Sequence, residues 1–167
     1  MPNHDQSGMP LFLGWGEHQS FEQITETITA QVQAFLKLDR VLLYRFDADF
    51  NGEVIAEACD QERLPSLLGL HFPASDIPPQ ARSLFQKARQ RLIVDVVAKH
   101  KIAFTDAGEL QNRLSLHEDA RYSPVDPCHL QYLLGLGVMS SITFSILHQG
   151  SLWGLLVGHH SQPRHFP

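Results

Sequence analysis

Apolar and polar residues recur along this chain with two periods, and the switches between them mark out its elements. Ile24, Ile28, Val32 and Phe35 follow one another at helical spacing and predict an amphipathic helix from Ser20 to about Leu38. Ser20 stands where an N-cap belongs, with Gln23 at the reciprocal position of a capping box. RVLLYRF (40–46) and EVIAEA (53–58) predict two strands, and the intervening DADFNG ends in turn residues that make a hairpin. Pro78-Pro79 opens a second helix with Ala81, Leu84, Phe85 and Ala88 on one side, because a proline in a first helical turn loses no hydrogen bond. RLIVDVV (91–97) predicts a strand. Asp126 and Pro127 then supply the cap and first position of a third helix, which stops at Gly135 and Gly137. Val138–Leu147 and Ser151–His160 predict a second hairpin around His148-Gln149-Gly150.

Two hairpins, a middle strand and intervening helices imply an α+β domain with a central, mostly antiparallel sheet flanked by helices. Residues 1–19 are polar with Gly and Pro and read as a flexible leader, so that the folded domain spans 20–167. The polar stretch 98–125 is long enough to be either functional or disordered. The sequence stops at Pro167 directly after its last strand, the pattern expected of a module taken from a larger protein.

Composition narrows the function classes. With 167 residues, 43% of them hydrophobic, the chain can build one sizeable core. A formal charge of −5 and the lack of a basic stripe argue against nucleic acid as a partner. No apolar run reaches the length of a membrane span, and the N-terminus has no signal pattern, which together point to a cytoplasmic domain. Two cysteines far apart do not make a disulfide framework. The ten histidines show no metal-ligand spacing, so no metal site is expected.

The strongest local signal is Asp126-Pro127-Cys128-His129 at a helix start. A thiol in a first helical turn feels the partial positive charge of unpaired N–H groups, which favours its thiolate. An isolated cysteine is nevertheless most often a small buried hydrophobe. Tyr132 shares the helical face of Cys128. In the strand after it, Ser141, Thr143 and Ser145 alternate with Ile142, Phe144 and Ile146, so that the hydroxyl face meets either water or a ligand. His159 shares a face with Trp153, Leu155 and Val157, where a histidine is more often structural than functional. Asp76, between prolines and just before a helix, reads first as a cap. Arg91 at a strand start is by default exposed.

Five stretches in order carry a resemblance: DRVLLYRFDADFNGEVIAEA (39–58), FPASDIPPQAR (72–82), RLIVDV (91–96), CHLQYLLGLGV (128–138) and LWGLLVGHHSQP (152–163). Together they resemble the chromophore-binding GAF domain of phytochromes and cyanobacteriochromes over residues 20–165, with FPASDIP, CHLQYL and LWGLLVGHH closer to phytochromes. The resemblance implies a GAF fold and a photoreceptor module that holds a linear tetrapyrrole, phycocyanobilin or a relative such as biliverdin. It implies that Cys128 forms a thioether to ring A and that His129 stacks near the inner pyrrole nitrogens. On the same resemblance, the Asp76 carbonyl would accept hydrogen bonds from those nitrogens, and Tyr44, Phe72 and Tyr132 would surround ring D. It also implies that His159, rather than His160, meets the ring D carbonyl and that Arg91, Ser141 and Thr143 hold the propionates. The implied function is a light-driven switch from a red- or far-red-absorbing dark state to a second state, biasing neighbouring signalling domains such as a histidine kinase. A homodimer stays open, and no enzyme activity is implied beyond autocatalytic chromophore attachment.

The sequence departs from the family pattern in three places. Ser123 stands where a second propionate-binding Arg is often found, with Arg121 as its nearest substitute; Phe72 replaces a frequent Tyr; and the flanking PAS and tongue-bearing domains are not in this sequence. Asp76-Ile77-Pro78-Pro79 has no thiol, and Cys59 at a strand end reads as structural rather than as a second attachment point. Two other functions remain open from the residues. One is a non-photosensory GAF domain binding a nucleotide or metabolite. The other is a thiol hydrolase, disfavoured because His129 projects about 100° away from its neighbour on a helix.

Overall fold

A computed structural model describes residues 19–87, 90–97, 100–102 and 127–164. The chain order is α1 (Phe21–Leu36), β1 (Arg40–Phe46), β2 (Gly52–Cys59), β3 (His71–Phe72), α2 (Pro79–Lys87), β4 (Gln90–Asp95), β5 (His100–Ile102), α3 (Pro127–Gly135), β6 (Ser140–His148) and β7 (Ser151–His160). The strands form one sheet in the order β3-β2-β1-β7-β6-β4-β5, and every described pairing is antiparallel. Both expected hairpins are present. What periodicity did not predict is that the last strand is inserted between β1 and β6, which joins the two hairpins across the middle of the sheet. The short strands β3 and β5 also had no periodic signal, being too short to show alternation.

Helix α1 begins with the expected capping box: Ser20 Oγ accepts from the Gln23 amide at 3.2 Å, and Gln23 Oε1 accepts from the Ser20 amide at 3.0 Å. It ends at Lys37, whose left-handed backbone lets Leu38 N–H reach the Gln33 carbonyl. The face laid on the sheet is turned from the expected one. Thr25 and Thr29 are buried, Val32 and Leu36 pack on the core, and Phe35 is 55% exposed. Small threonines let the helix approach β1 and β2 closely. Their hydroxyls, which would otherwise be buried without partners, donate to the carbonyls of Glu22 and Glu26 at 2.9 Å.

The opposite sheet face carries the rest of the core and the site. Directly paired residues project from the same face, and the registers align transverse rows across the strands. Cys59, Arg40, His159, Ser141 and Ile93 form one row; Leu42, Val157, Thr143 and Arg91 the next; Val54, Tyr44 and Leu155 a third. Leu42, Tyr44, Phe46, Val54, Leu67, Phe85, Leu152 and Leu155 pack as one buried cluster here, and Leu64, Ile93, Val96, Leu130, Leu133 and Val138 as a second under α3.

A bulge corrects one sequence expectation. Ile146 pairs with Gly154 but Leu147 pairs with Leu152, so Trp153 is the extra residue of β7. The phase of the strand changes there. Leu152 joins Tyr44 and Leu155 in the core, while the Trp153 ring meets Phe21 of α1 edge-on at 6.2 Å. Trp153 therefore does not share the His159 face. The β6–β7 turn places Gln149 and Gly150 both at positive φ, the backbone that a two-residue hairpin loop requires.

Candidate functional site

Six elements, β1, β3, β4, α3, β6 and β7, together with the loop before α2, carry the sequence-derived residues. From β1, Tyr44 is buried with its ring lying over Gly52 of β2, where a Cβ would come within 1.7 Å of Tyr44 Cζ. Glycine is the residue that lets this ring lie flat against the neighbouring strand. Phe72 of β3 stands 5.9 Å from Tyr44 and 6.4 Å from Tyr132 of α3, and the His129 ring stacks on Tyr132 at 6.3 Å. The four rings thus form a continuous aromatic wall from the sheet to α3. Burial pushes the Tyr44 phenol up to about 12, with the nearby Asp76 carboxylate adding to the effect. Burial also raises Tyr132, and there Arg40 opposes while Asp76 adds.

Asp76 sits in a loop held from two sides. Its amide donates to the Pro73 carbonyl at 3.0 Å. The Arg82 guanidinium, one turn into α2, reaches back to the carbonyls of Ala74 and Ile77 at 3.2 and 2.6 Å, and lies 4.3 Å over the Phe50 ring. Asn51 Oδ1 accepts from the Ala74 amide at 3.1 Å. Prolines 73, 78 and 79 stiffen the same stretch. Its order therefore comes from side chains outside it as well as from its own prolines.

Helix α3 starts at Pro127, as expected; its proposed cap Asp126, and Ser123 and Arg121, lie outside the described residues. Leu130 and Leu133 anchor the helix in the core, which leaves Cys128, His129 and Tyr132 on accessible positions. Cys128 is exposed; Cys59 is half-buried, donates to the Leu64 carbonyl at 3.3 Å, and has its thiol pushed up by burial. The exposed cysteine is the one available to react.

His159 lies at the floor of the site, 4% exposed. Burial first, then Arg40 and His129, hold its pKa well below the usual imidazole value. Arg40 lies against it, with Nε and Nη2 at 3.2 and 2.8 Å from Nδ1. His160 faces the other way, with Nδ1 2.9 Å from Asp39, whose carboxylate is fixed by the amide and hydroxyl of Ser161 at 2.7 and 2.6 Å. Ser141 is buried opposite His159, and Thr143 is opposite Arg91. Arg91 is half-buried with its guanidinium 5.1 Å over the Phe85 ring. Desolvation lowers its pKa, and no carboxylate pairs with it among the described residues. The hydroxyl face of β6 is therefore turned into the domain, not toward bulk water.

Of the sequence-derived residues, Tyr44, Arg91, Ser141, Thr143 and His159 share one sheet face, and Phe72 links Tyr44 by ring contacts to Tyr132 and His129 of α3. Arg40, Arg82 and Asn51 were missed as positioning groups, although all three lie within the motifs that carried the resemblance. Among the described residues no cluster could hold a metal ion, and no helix is long and apolar enough to cross a membrane.

The GAF-domain profile matches residues 20–167. The chain belongs to the GAF-domain family. Its relatives include a bacteriophytochrome of Xanthomonas campestris, 38% identical over 96% of this chain and 25% of that protein. Among solved structures, this GAF domain superposes with a TM-score of 0.72 on the phycocyanobilin-bound GAF domain of a cyanobacterial phytochrome, at 45% identity over 88% of this chain and 74% of the other. The chromophore-binding domain of the Stigmatella aurantiaca bacteriophytochrome gives a TM-score of 0.73 at 37% identity, covering 90% of this chain and 49% of that one. The chain spans about a quarter of the Xanthomonas relative or less of its other curated relatives.

Proposed function

We propose that this GAF domain is a photosensory module that holds a linear tetrapyrrole of the phycocyanobilin type covalently at Cys128. The observation that carries the reading is the arrangement around α3: an exposed thiol, a stacked His129–Tyr132 pair beside it, and a recessed neutral histidine on the sheet below. The 45% identity to a phycocyanobilin-bound GAF domain supports the same ligand class.

The residues present fit such a ligand. Arg91, with no acidic partner among the described residues, together with Ser141 and Thr143, offers a cation and hydroxyl donors for two propionates. The Asp76 carbonyl and carboxylate provide acceptors that would offset burial of a protonated pyrrole system. Tyr44, Phe72 and Tyr132 contact one another through ring faces and edges, packing that a turning pyrrole can rearrange. His159 supplies a hydrogen bond to a ring carbonyl. When bound, the bilin supplies visible absorption and a double bond that light isomerises. Cys128 Sγ would hold the bilin by adding across a double bond of its ring A side chain, the thiol proton going to the other carbon with no leaving group, so that the chain would need no separate attachment enzyme. The output, for which we propose neighbouring signalling domains such as a histidine kinase in the cytoplasm, responds to the altered contacts in this wall.

The test is co-production with phycocyanobilin followed by zinc-stained denaturing electrophoresis. A fluorescent band that disappears in Cys128→Ser, with the unfolding free energy unchanged to within about 0.5 kcal/mol as befits an exposed side chain, is the expected outcome. A covalent adduct surviving in that variant overturns the attachment site. A colourless protein that a nucleotide stabilises against melting selects a nucleotide-sensing GAF domain instead.

A further inference from the structure

Arg40 is wholly buried, and the acceptors that its guanidinium meets are neutral. Nε and Nη2 approach His159 Nδ1 at 3.2 and 2.8 Å, and Nη1 donates to the Pro65 carbonyl in the β2–β3 loop. No carboxylate lies within ion-pair distance of it among the described residues. A guanidinium keeps its protons in a protein, so both nitrogens facing His159 are donors. Nδ1 must then be the acceptor, and the single proton of the neutral ring sits on Nε2, on the ring edge away from Arg40. A proton on Nδ1 would set N–H against N–H and place two cations in one buried site.

We propose that Arg40 is a positioning residue of the ligand site: it locks His159 as the neutral Nε2–H tautomer, making it a one-way hydrogen-bond donor, and ties that donor to the β2–β3 loop through Pro65. The nature of the acceptor, a bilin ring carbonyl, rests on the function proposed above; the tautomer does not. Groups facing His159 from the packed elements act in the same sense. Arg40 of β1 and His129 of α3 both oppose its protonation, and Ser141 of β6 lies directly opposite without charge. Cys59 and Glu57 of β2 and Tyr132 of α3 favour the charged guanidinium of Arg40, against its desolvation. The histidine that pairs with Arg40 thus differs in kind from His160, whose partner is a carboxylate.

The direct test is a long-range proton–nitrogen correlation spectrum of the histidine rings in the chain without ligand. His159 is expected as the Nε2–H tautomer, with no titration across roughly pH 5.5–8, the range in which an ordinary histidine changes charge. A Nδ1–H tautomer, or a titration near the ordinary value, overturns the proposal without recourse to any variant. In Arg40→Gln, the His159 signal is expected to move to mixed tautomers and to titrate within that range; an unchanged ring in a folded variant also overturns it. In the bilin-loaded protein, Arg40→Lys is expected to shift the visible band in the native background but not beside His159→Gln, whose amide donates without needing Nδ1 held. Equal shifts in both backgrounds mean that Arg40 only braces the fold. A protein that takes up no bilin refutes the ligand reading alone and leaves the tautomer result standing.

Discussion

At the scale of single residues, the site depends on close approaches that sequence alone only half reveals. Tyr44 was legible as a candidate pocket residue through resemblance, but its dependence on Gly52 was not, because the register that sets ring over glycine is a tertiary fact. Gly52→Ala puts a methyl group into the Tyr44 ring, and we expect a loss of about 1–3 kcal/mol, the usual cost of overpacking, in chemical denaturation. An unchanged stability would mean that the ring is free to swing away. Cys128 and His129 carried a clear local signal, a helix start marked by Pro127. Arg40 and Arg82 carried none, since an arginine in a strand or helix is by default a surface residue, and only its acceptors disclose otherwise.

At the scale of elements, propensity and periodicity located the major helices and strands to within a few residues, and failed where packing overrode them. The N-terminus of α1 was legible because its capping box is a local interaction between Ser20 and Gln23. Ser20→Ala is expected to cost about 1 kcal/mol, read as a fall in melting temperature of roughly 2–4 °C for a domain of this size. It is expected to leave any visible band in place, because α1 lies on the face opposite the site. A spectral shift in that variant would show that α1 communicates with the pocket. The buried face of the helix was less legible. Phe35 satisfies helical periodicity but projects to solvent, and two threonines occupy the contact, since close helix–sheet approach favours small side chains whose hydroxyls bond within the helix. The β7 bulge is a second case. One extra residue reverses the facing of Trp153, and alternation read along the strand carries no mark of it.

At the scale of the whole molecule, the α+β class and antiparallel sheet followed from the elements, whereas the insertion of β7 between β1 and β6 did not. That insertion is what sets His159 beside Arg40 on one side and Ser141 on the other, so the floor of the site is a product of topology. The same placement sets the pH dependence of stability. His159 and His160 are both depressed in the folded chain, so below the ordinary imidazole value the unfolded chain takes up protons that the folded one refuses. Stability is therefore complete above about pH 6.5 and falls as the pH drops below it. Tyr44 acts at the other end: its phenol is raised to about 12, so the unfolded chain ionises first and stability falls as the pH rises from about 10. Denaturation midpoints across this range should trace a plateau with two falling limbs. A midpoint that rises on acidification below pH 6.5 would contradict the neutral, buried His159 on which the site is built.

The most direct test of the central claim is the absorbance spectrum of the protein co-produced with phycocyanobilin, recorded before and after illumination into its longest-wavelength band. We predict a red or far-red band in the dark state, and a reversible light-minus-dark difference as the contacts of Tyr44, Phe72, Tyr132 and His159 are exchanged. A protein with no visible absorption, or with a band that illumination leaves unchanged, would contradict a photosensory role for this pocket.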